Sequence, residues 1–476
     1  MSISDANFYK LLEDVDFYVD ATDRSKVYVQ YKKDGDSVYF NTYDSEDFKA
    51  CLRIWYRDLA ATSKPLNVTE VLQRISDENL YYGNFEEVEP HTRVAGSLNS
   101  FLEYSLADRA NHIVEVSNGT WKIKTTSDYH FLTPSSQKSQ VIPQATTTPL
   151  VDLLAPIVNL KGDDLTLFAI WLTQCFSGGA HYGMMLSAAR GSAKSTLTRL
   201  INAIVDPSRA SVMQLQNKLQ DFQDVLASNY LCCYDNLRAI PTDYSDTLSA
   251  AITGSTVAKR VLFTTNTIIY MKLLNVIVLN GIDLFPPETD LAERFLYFEL
   301  KKLSRDNLKP DGEIDKLFRD SRPYILGAIF DLLAKATVTI HETVNIKPTR
   351  MATSFCEMLS IAKAMGISEK EFDRLIRENI ERLQNACADT PLVQAIVEYM
   401  NGPSFGTRKV TLSSTEFYTR VRNNYSGQKT ALPSSAAAFS KRLKAEHDAL
   451  QRAGFSSIVD DTGAASSTIT IIREKK

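Results

Sequence analysis

Five short, mostly apolar runs, "YGMML", "SVMQL", "YLCCY", "NVIVLN" and "FLYFEL", fall between residues 182 and 300, separated by helix-like stretches. Runs of that length with little polar alternation have no face to offer to water, so they fit a parallel sheet covered by helices on both sides. The region therefore reads as an α/β core. Directly after the first run comes "SAARGSAKSTLTRL", in which Lys194 and Ser195 stand at the last two positions of the phosphate-loop pattern G-x-x-x-x-G-K-(S/T). Such a loop needs backbone N–H groups turned inward, a lysine for the β and γ phosphates and a hydroxyl for magnesium. Gly191 is kept, but Ala188 and Ala193 replace the two defining glycines. Where a glycine would hold positive φ, alanine costs about 1 kcal/mol. Taken alone, the stretch can also be a basic turn before an ordinary surface helix.

Three later strand ends bear on that choice. "NYLCCYDNL" closes an apolar run with Asp235 and Asn236, where a Walker B carboxylate would hold the water shell of magnesium. Asn236 takes the place of a catalytic glutamate; it can orient a water but cannot accept its proton. "NVIVLN" ends in Asn280, a sensor position able to touch the γ phosphate and the attacking water. "DLAERFLYFEL" puts Arg294 just before another strand, from which an arginine can reach a neighbouring subunit's nucleotide. Singly, Asp235 reads as a strand-end turn residue and Arg294 as half of a surface salt bridge. Their order is what few unrelated folds would supply.

The rest of the chain divides around this core. Residues 1–145 alternate, as in "KVYVQYKKDGDSVYF", with helical pieces between, and predict an α+β accessory module. "SNGT" at Asn118 reads as a tight hairpin turn. "TPSSQKSQVIPQATTTP" lacks periodicity and is expected to be a linker, with the core at 146–305. Residues 306–388 are helical and are expected to form a lid or connector. From 389 to 476 the order helix, strand, helix, helix, hairpin outlines a winged helix.

Charge and cysteines narrow the function. The whole chain carries a net −4, yet residues 403–476 hold twelve Lys or Arg against six Asp or Glu, so one end suits DNA. Ser434 or Ser435 can cap a helix presenting Lys441, Arg442 and Lys444 as a recognition helix would. A protein-binding module with a solvated basic face is the alternative. The six cysteines show no C-x-x-C spacing and are expected to be buried thiols. No apolar run reaches the roughly 18 residues of a membrane span, and a cytosolic protein without a membrane partner is expected.

"GSAKSTLTRLI" followed by "DP", then "YDNL", "TG", "VLNGI" and "DLAERFL", resembles the AAA+ replication helicase-like ATPases of phages and bacterial mobile elements, related to superfamily 3 and minichromosome-maintenance-like helicases. The likeness is most specific over residues 180–300 and leaves 1–130 unexplained. It implies an AAA+ P-loop core with helical lid, C-terminal winged helix and N-terminal α+β module, assembling as a hexameric or other ring with ATP between subunits. It also implies that Arg190, Gly191, Ser192, Ala193, Lys194, Ser195 and Thr196 contact ATP, with Ser195 and Asp235 on Mg²⁺. By the same likeness Asn280 is sensor 1, Arg294 the finger, and Arg350 in "PTRMATSF" a second-sensor candidate. The hairpin before sensor 1 would face DNA in a central channel. Thr264, Thr265 and Asn266 form its uncharged tip and Lys259 and Lys272 flank it. The first reading is an ATP-dependent helicase or replication initiator acting on single-stranded, forked or origin DNA. The second is an ATP switch that oligomerises on DNA without acting as a motor, in origin recognition or defence.

Overall fold

The computed structural model describes residues 3–33, 37–60, 64–82, 85–187, 191–237, 240–282 except 261–267, 284, 286, 289–303, 311–343, 351–388, 390–402, 409–427, 429, 432–460 and 467–473. Near the N-terminus, strands Asp16–Asp20, Val27–Lys32 and Val38–Thr42 pair antiparallel, and Glu86–Val88 joins Asp16–Asp20 in parallel. Helices Asp5–Leu11, Glu46–Ala60 and Val68–Tyr82 cover this sheet, burying Phe8, Val29, Tyr31, Phe48 and Val71 in a core of their own.

A second antiparallel sheet follows, from Val94–Gly96, Phe101–Ser105, Ile113–Ser117 and Thr120–Lys124. Its last turn holds Asn118 at φ 48° and Gly119 at φ 79°, the two positive values of the tight hairpin read from "SNGT". The main core of this sheet is not that of the N-terminal module. Leu102, Tyr104, Val114 and Val116 belong to the core that contains Phe168, Trp171 and Phe330. The Tyr104 ring lies 5.0 Å from Phe176 and 5.6 Å from Phe330. The break in packing therefore comes before Val94, well ahead of the expected boundary at 146. Alternation along a strand shows which residues are buried; it is silent on what buries them.

The expected linker is a strap held along its length. Gln140 is buried and its Nε2 donates to the Tyr104 hydroxyl (3.0 Å) and the Ile204 carbonyl (2.8 Å). Farther along, the Gln144 N–H donates to Pro323 O, and a Cβ on Gly327 would come within 1.8 Å of Gln144 O, so only glycine lets the strap cross there. Polar composition suggested flexibility, but these polar groups satisfy backbone partners on other segments.

The central sheet is parallel, in the order Leu231–Leu237, Val276–Gly281, Gly183–Ser187, Phe295–Glu299. "SVMQL" adds only a single parallel bridge, Met213 to Tyr234, rather than a full strand. Helices Asp163–Gln174, Lys194–Val205, Asp311–Thr339 and Ala352–Ala364 pack into the same core. The expected lid is thus partly core: Ile325, Leu326, Ile329 and Leu333 of the Asp311–Thr339 helix have no exposed surface. The helix is long and apolar enough to cross a bilayer by composition, yet 67% of that window is buried within the protein.

A buried polar cluster joins two of these helices. Glu357 accepts hydrogen bonds from Gln174 Nε2 (2.8 Å) and Ser177 Oγ (2.7 Å). Burial pushes its carboxyl up to about 7, against the pull of those two bonds. Its neutral form is the one that folding favours. The stability it contributes is full below the ordinary glutamate pKa and is lost as pH rises through 7. Glu357→Gln should therefore unfold like the native chain at pH 5 and be more stable by about 3 kcal/mol at pH 8. Denaturant midpoints across that range test this; a difference that does not change with pH would refute it.

The C-terminal module has a separate core around Leu392, Phe417, Phe439 and Ile471. Helices Pro391–Asn401, Ser414–Asn424, Ala436–Ala445 and His447–Arg452 surround a sheet ordered Lys409–Ser413, Thr468–Arg473, Phe455–Asp460. Thr390, Ser413 and Ser435 cap three of these helices, Ser435 Oγ accepting from the Ala438 N–H at 3.2 Å.

Candidate nucleotide site

The loop residues follow the strand Gly183–Ser187, with Ala188, Ala189 and Arg190 outside the described residues. Gly191 has φ 80° and Ala193 sits at φ 64°, ψ 27°, in the left-handed region immediately before the helix Lys194–Val205. Asn159 Nδ2 donates to Ser192 O (3.1 Å) and Lys301 O (2.7 Å), pinning the loop to the segment after the last sheet strand. The helix has no acidic residue in its first turn, and Lys194, Ser195 and Thr196 open it. Its N–H groups and dipole suit an anion there. Left-handed alanine costs roughly 1–2 kcal/mol and glycine's extra unfolded freedom offsets roughly half of it. Ala193→Gly is expected to raise stability by about 0.5–1 kcal/mol, read as a denaturation midpoint; a loss would mean that the alanine methyl is packed.

Three strands end together beside this loop. Register pairs Leu186 with Asn280 and Tyr234 with Leu279, so Ser187, Asp235 and Asn280 share the carboxyl edge of the sheet. Ligands of parallel α/β sheets bind outside that edge. Asn280 is fully buried and donates through Nδ2 to Thr198 Oγ1 at 3.1 Å, while Thr198 Oγ1 donates to Lys194 O at 3.0 Å. Asn280 Oδ1 has no hydrogen-bond partner among the described residues, leaving one buried polar atom at this edge for a ligand or water. Thr198 was missed in the sequence; its signal was the four-residue spacing from Lys194, which puts both on one helix face.

Asp235 is half-buried and its N–H donates to Met213 O. The strand register breaks between Tyr234 and Leu237, where Asn236 adopts φ 59° and is exposed. Asparagine tolerates left-handed backbone better than glutamate does, so a conformational reason for Asn236 stands beside the chemical one. Ser195 and Asp235 together offer hydroxyl and carboxylate oxygens, the hard donors that magnesium takes.

Other sequence candidates lie elsewhere. Arg294 immediately precedes the last strand, its carbonyl accepting from the Gly183 N–H, so it stands at the amino edge, about 17 Å along the sheet from the loop. It pairs with Asp290 at 3.3 Å, is largely buried, and its Nε has no partner among the described residues. Strands Ser255–Arg260 and Ile268–Leu273 form the hairpin; the tip residues Thr264, Thr265 and Asn266 fall outside the described residues, as does Arg350. Both hairpin lysines are engaged within the chain: Lys259 pairs with Asp224 and Lys272 with Glu89. In the C-terminal module Lys441, Arg442 and Lys444 are all exposed on Ala436–Ala445, with Arg442 bridging Glu446 at 2.6 Å. Cys175, Cys232 and Cys233 are buried thiols whose pKa burial drives up, unsuited to metal or redox chemistry.

Residues 151–373, which contain the whole nucleotide-site constellation, match the family described as the actinomycete integrative conjugative element replication protein. The match supports a replication protein of a mobile genetic element. No curated protein matches the chain. Solved structures with a likeness to it include the A-form apo structure of the NrS-1 C-terminal region, at 12% identity and TM-score 0.41, covering 98% of this chain and 99% of that one. Another is the apo structure of NrS-1 C-terminal region 305–718, at 12% identity and TM-score 0.39, covering 99% and 100%.

Proposed function

We propose that this replication protein is an AAA+ ATPase that acts on DNA as a ring-shaped helicase or initiator. The observation that carries this reading is the shared edge: the Lys194 loop, Asp235 and Asn280 converge at the carboxyl ends of one parallel sheet. In this reading Lys194 and the N–H groups of the loop from Gly191 to Thr196 bind the phosphates of ATP. Ser195 and Asp235 hold Mg²⁺, which supplies charge neutralisation at the β and γ phosphates. Asn280 orients the attacking water through its unpaired Oδ1.

The position of Arg294 bears on assembly. At the far edge of the sheet it cannot reach its own chain's loop, so an arginine finger from this position requires a second copy. That geometry suits a homo-oligomer with nucleotide between subunits. The exposed Lys441, Arg442 and Lys444 are the C-terminal DNA contact, and a winged-helix role for that module rests on its helix and hairpin order.

One observation favours the second reading, an ATP switch without a motor: Lys259 and Lys272, the cations flanking the hairpin tip, are already paired with carboxylates. Steady-state ATP hydrolysis with and without single-stranded and forked DNA, with particle size measured in the same samples, separates the two. DNA-stimulated turnover supports the motor, nucleotide-dependent assembly without turnover supports the switch, and neither binding nor turnover refutes both.

A further inference from the structure

A cleft of about 690 Å³ opens between the N-terminal sheet and the second sheet, closed on one side by the strap and by the turn after the Lys194 helix. Its wall holds aromatic groups, Tyr39, Tyr129 and His130, all half-buried, together with two exposed guanidiniums, Arg109 and Arg209. Three carboxylates also line it, each with a partner within the chain: Asp47 faces Lys33, Asp108 meets the His112 ring Nδ1 at 2.6 Å, and Asp128 shares Lys124 with Glu103 and Glu115. Among the described residues neither arginine faces a carboxylate. Arg209 Nε donates to Ser135 O at 3.0 Å, which fixes the guanidinium stem against the strap at the cleft wall. Burial lowers the pKa of His130, so near neutrality its ring is an uncharged stacking surface rather than a cation.

Flat aromatic surfaces beside unpaired guanidiniums recognise a base and a phosphate together. We propose that this cleft is a second nucleotide-binding site, separate from the Lys194 loop, that takes one or more nucleotide units, with Arg109 and Arg209 on the phosphates and the aromatic rings beneath the bases. The unit can come from a DNA strand or from a free nucleotide. Arg209 lies four residues beyond the end of the Lys194 helix, so an occupied cleft and an occupied loop would load opposite ends of one helix.

The inference goes beyond the ATPase reading and is tested without it, in the full chain carrying Lys194→Ala. Fluorescently labelled oligo(dT) of twelve nucleotides and labelled thymidine monophosphate are titrated against this chain and against the same chain with Arg109→Ala and Arg209→Ala added. The expected result is binding that weakens about tenfold or more, with a salt slope shallower by about 1.4 for the strand, and that is largely kept in Arg109→Lys with Arg209→Lys. Crosslinking of 5-iodouracil-substituted oligonucleotide to peptides containing Tyr39 or Tyr129 places the strand in the cleft; Arg-sensitive binding of the monophosphate alone identifies a free nucleotide instead. Equal affinity with and without the two arginines, or no binding of either probe to the starting chain, overturns the proposal.

Discussion

Lys194→Ala should lower ATP turnover by about 10²- to 10³-fold while leaving the fold as stable as before, or slightly more so. The first half follows from position. Lys194 opens a helix at the carboxyl edge of the sheet, where, in the proposed ATPase, its ammonium would meet phosphate charge that grows during transfer, and removal of one such preorganised donor typically costs that much in rate. The second half follows from the helix itself. A cation at a helix N-terminus opposes the macrodipole by about 0.3–1 kcal/mol, and this first turn carries no acidic residue of its own. Activity lost with stability kept is thus the signature of a phosphate-binding residue. Hydrolysis rates alongside denaturation midpoints measure both, and unchanged turnover would return the loop to an ordinary basic turn.

The largest loss of stability is expected at Arg93, far from that loop in sequence. Its side chain is wholly buried, with Nε on Asp206 Oδ1 at 2.9 Å and the remaining nitrogens donating to the carbonyls of Ser105 (3.1 Å), Lys138 (3.0 Å) and Pro207 (3.1 Å). Asp206 in turn accepts from the Leu231 N–H at the start of the Asp235 strand. One guanidinium therefore ties the second sheet, the strap and the end of the Lys194 helix together. Arg93→Ala strands a buried carboxylate and three carbonyls, and should cost about 3–5 kcal/mol. Asp206→Asn, which keeps the volume and removes the charge, should cost less when combined with Arg93→Ala than the two single costs added. Urea denaturation of the two single variants and the double one reads this directly. A loss below about 1 kcal/mol for Arg93→Ala would mean that water replaces the guanidinium.

The parts of the candidate site that could be read in the sequence are those encoded locally. Apolar runs ending in Asp235 and Asn280 mark strands and their carboxyl ends, because burial on both faces leaves polar residues only where a strand stops. The order of lysine loop, aspartate and asparagine then suggests a common edge, but the register that aligns Leu186 with Asn280 is a property of the assembled sheet. Ala193 is instructive in the same way. As a letter it breaks the phosphate-loop pattern, yet the chain still takes the left-handed turn there, held from outside by Asn159 on the Ser192 carbonyl.

What the sequence by itself determined is most of the succession of elements, four of the five central apolar runs being strands, together with the lysine loop, the basic tail and the "SNGT" hairpin, since each depends on residues within a few positions of one another. The tertiary structure alone decided that residues 94–124 share the central core, that the polar strap is pinned, that Lys259 and Lys272 are already paired, and that Arg294 stands at the far edge from the loop. These rest on partners scores of residues apart, as with Arg93 and Asp206. A side chain's periodicity reports whether it is buried or exposed; the group that meets it, and the charge it neutralises, exist only once distant segments are brought together.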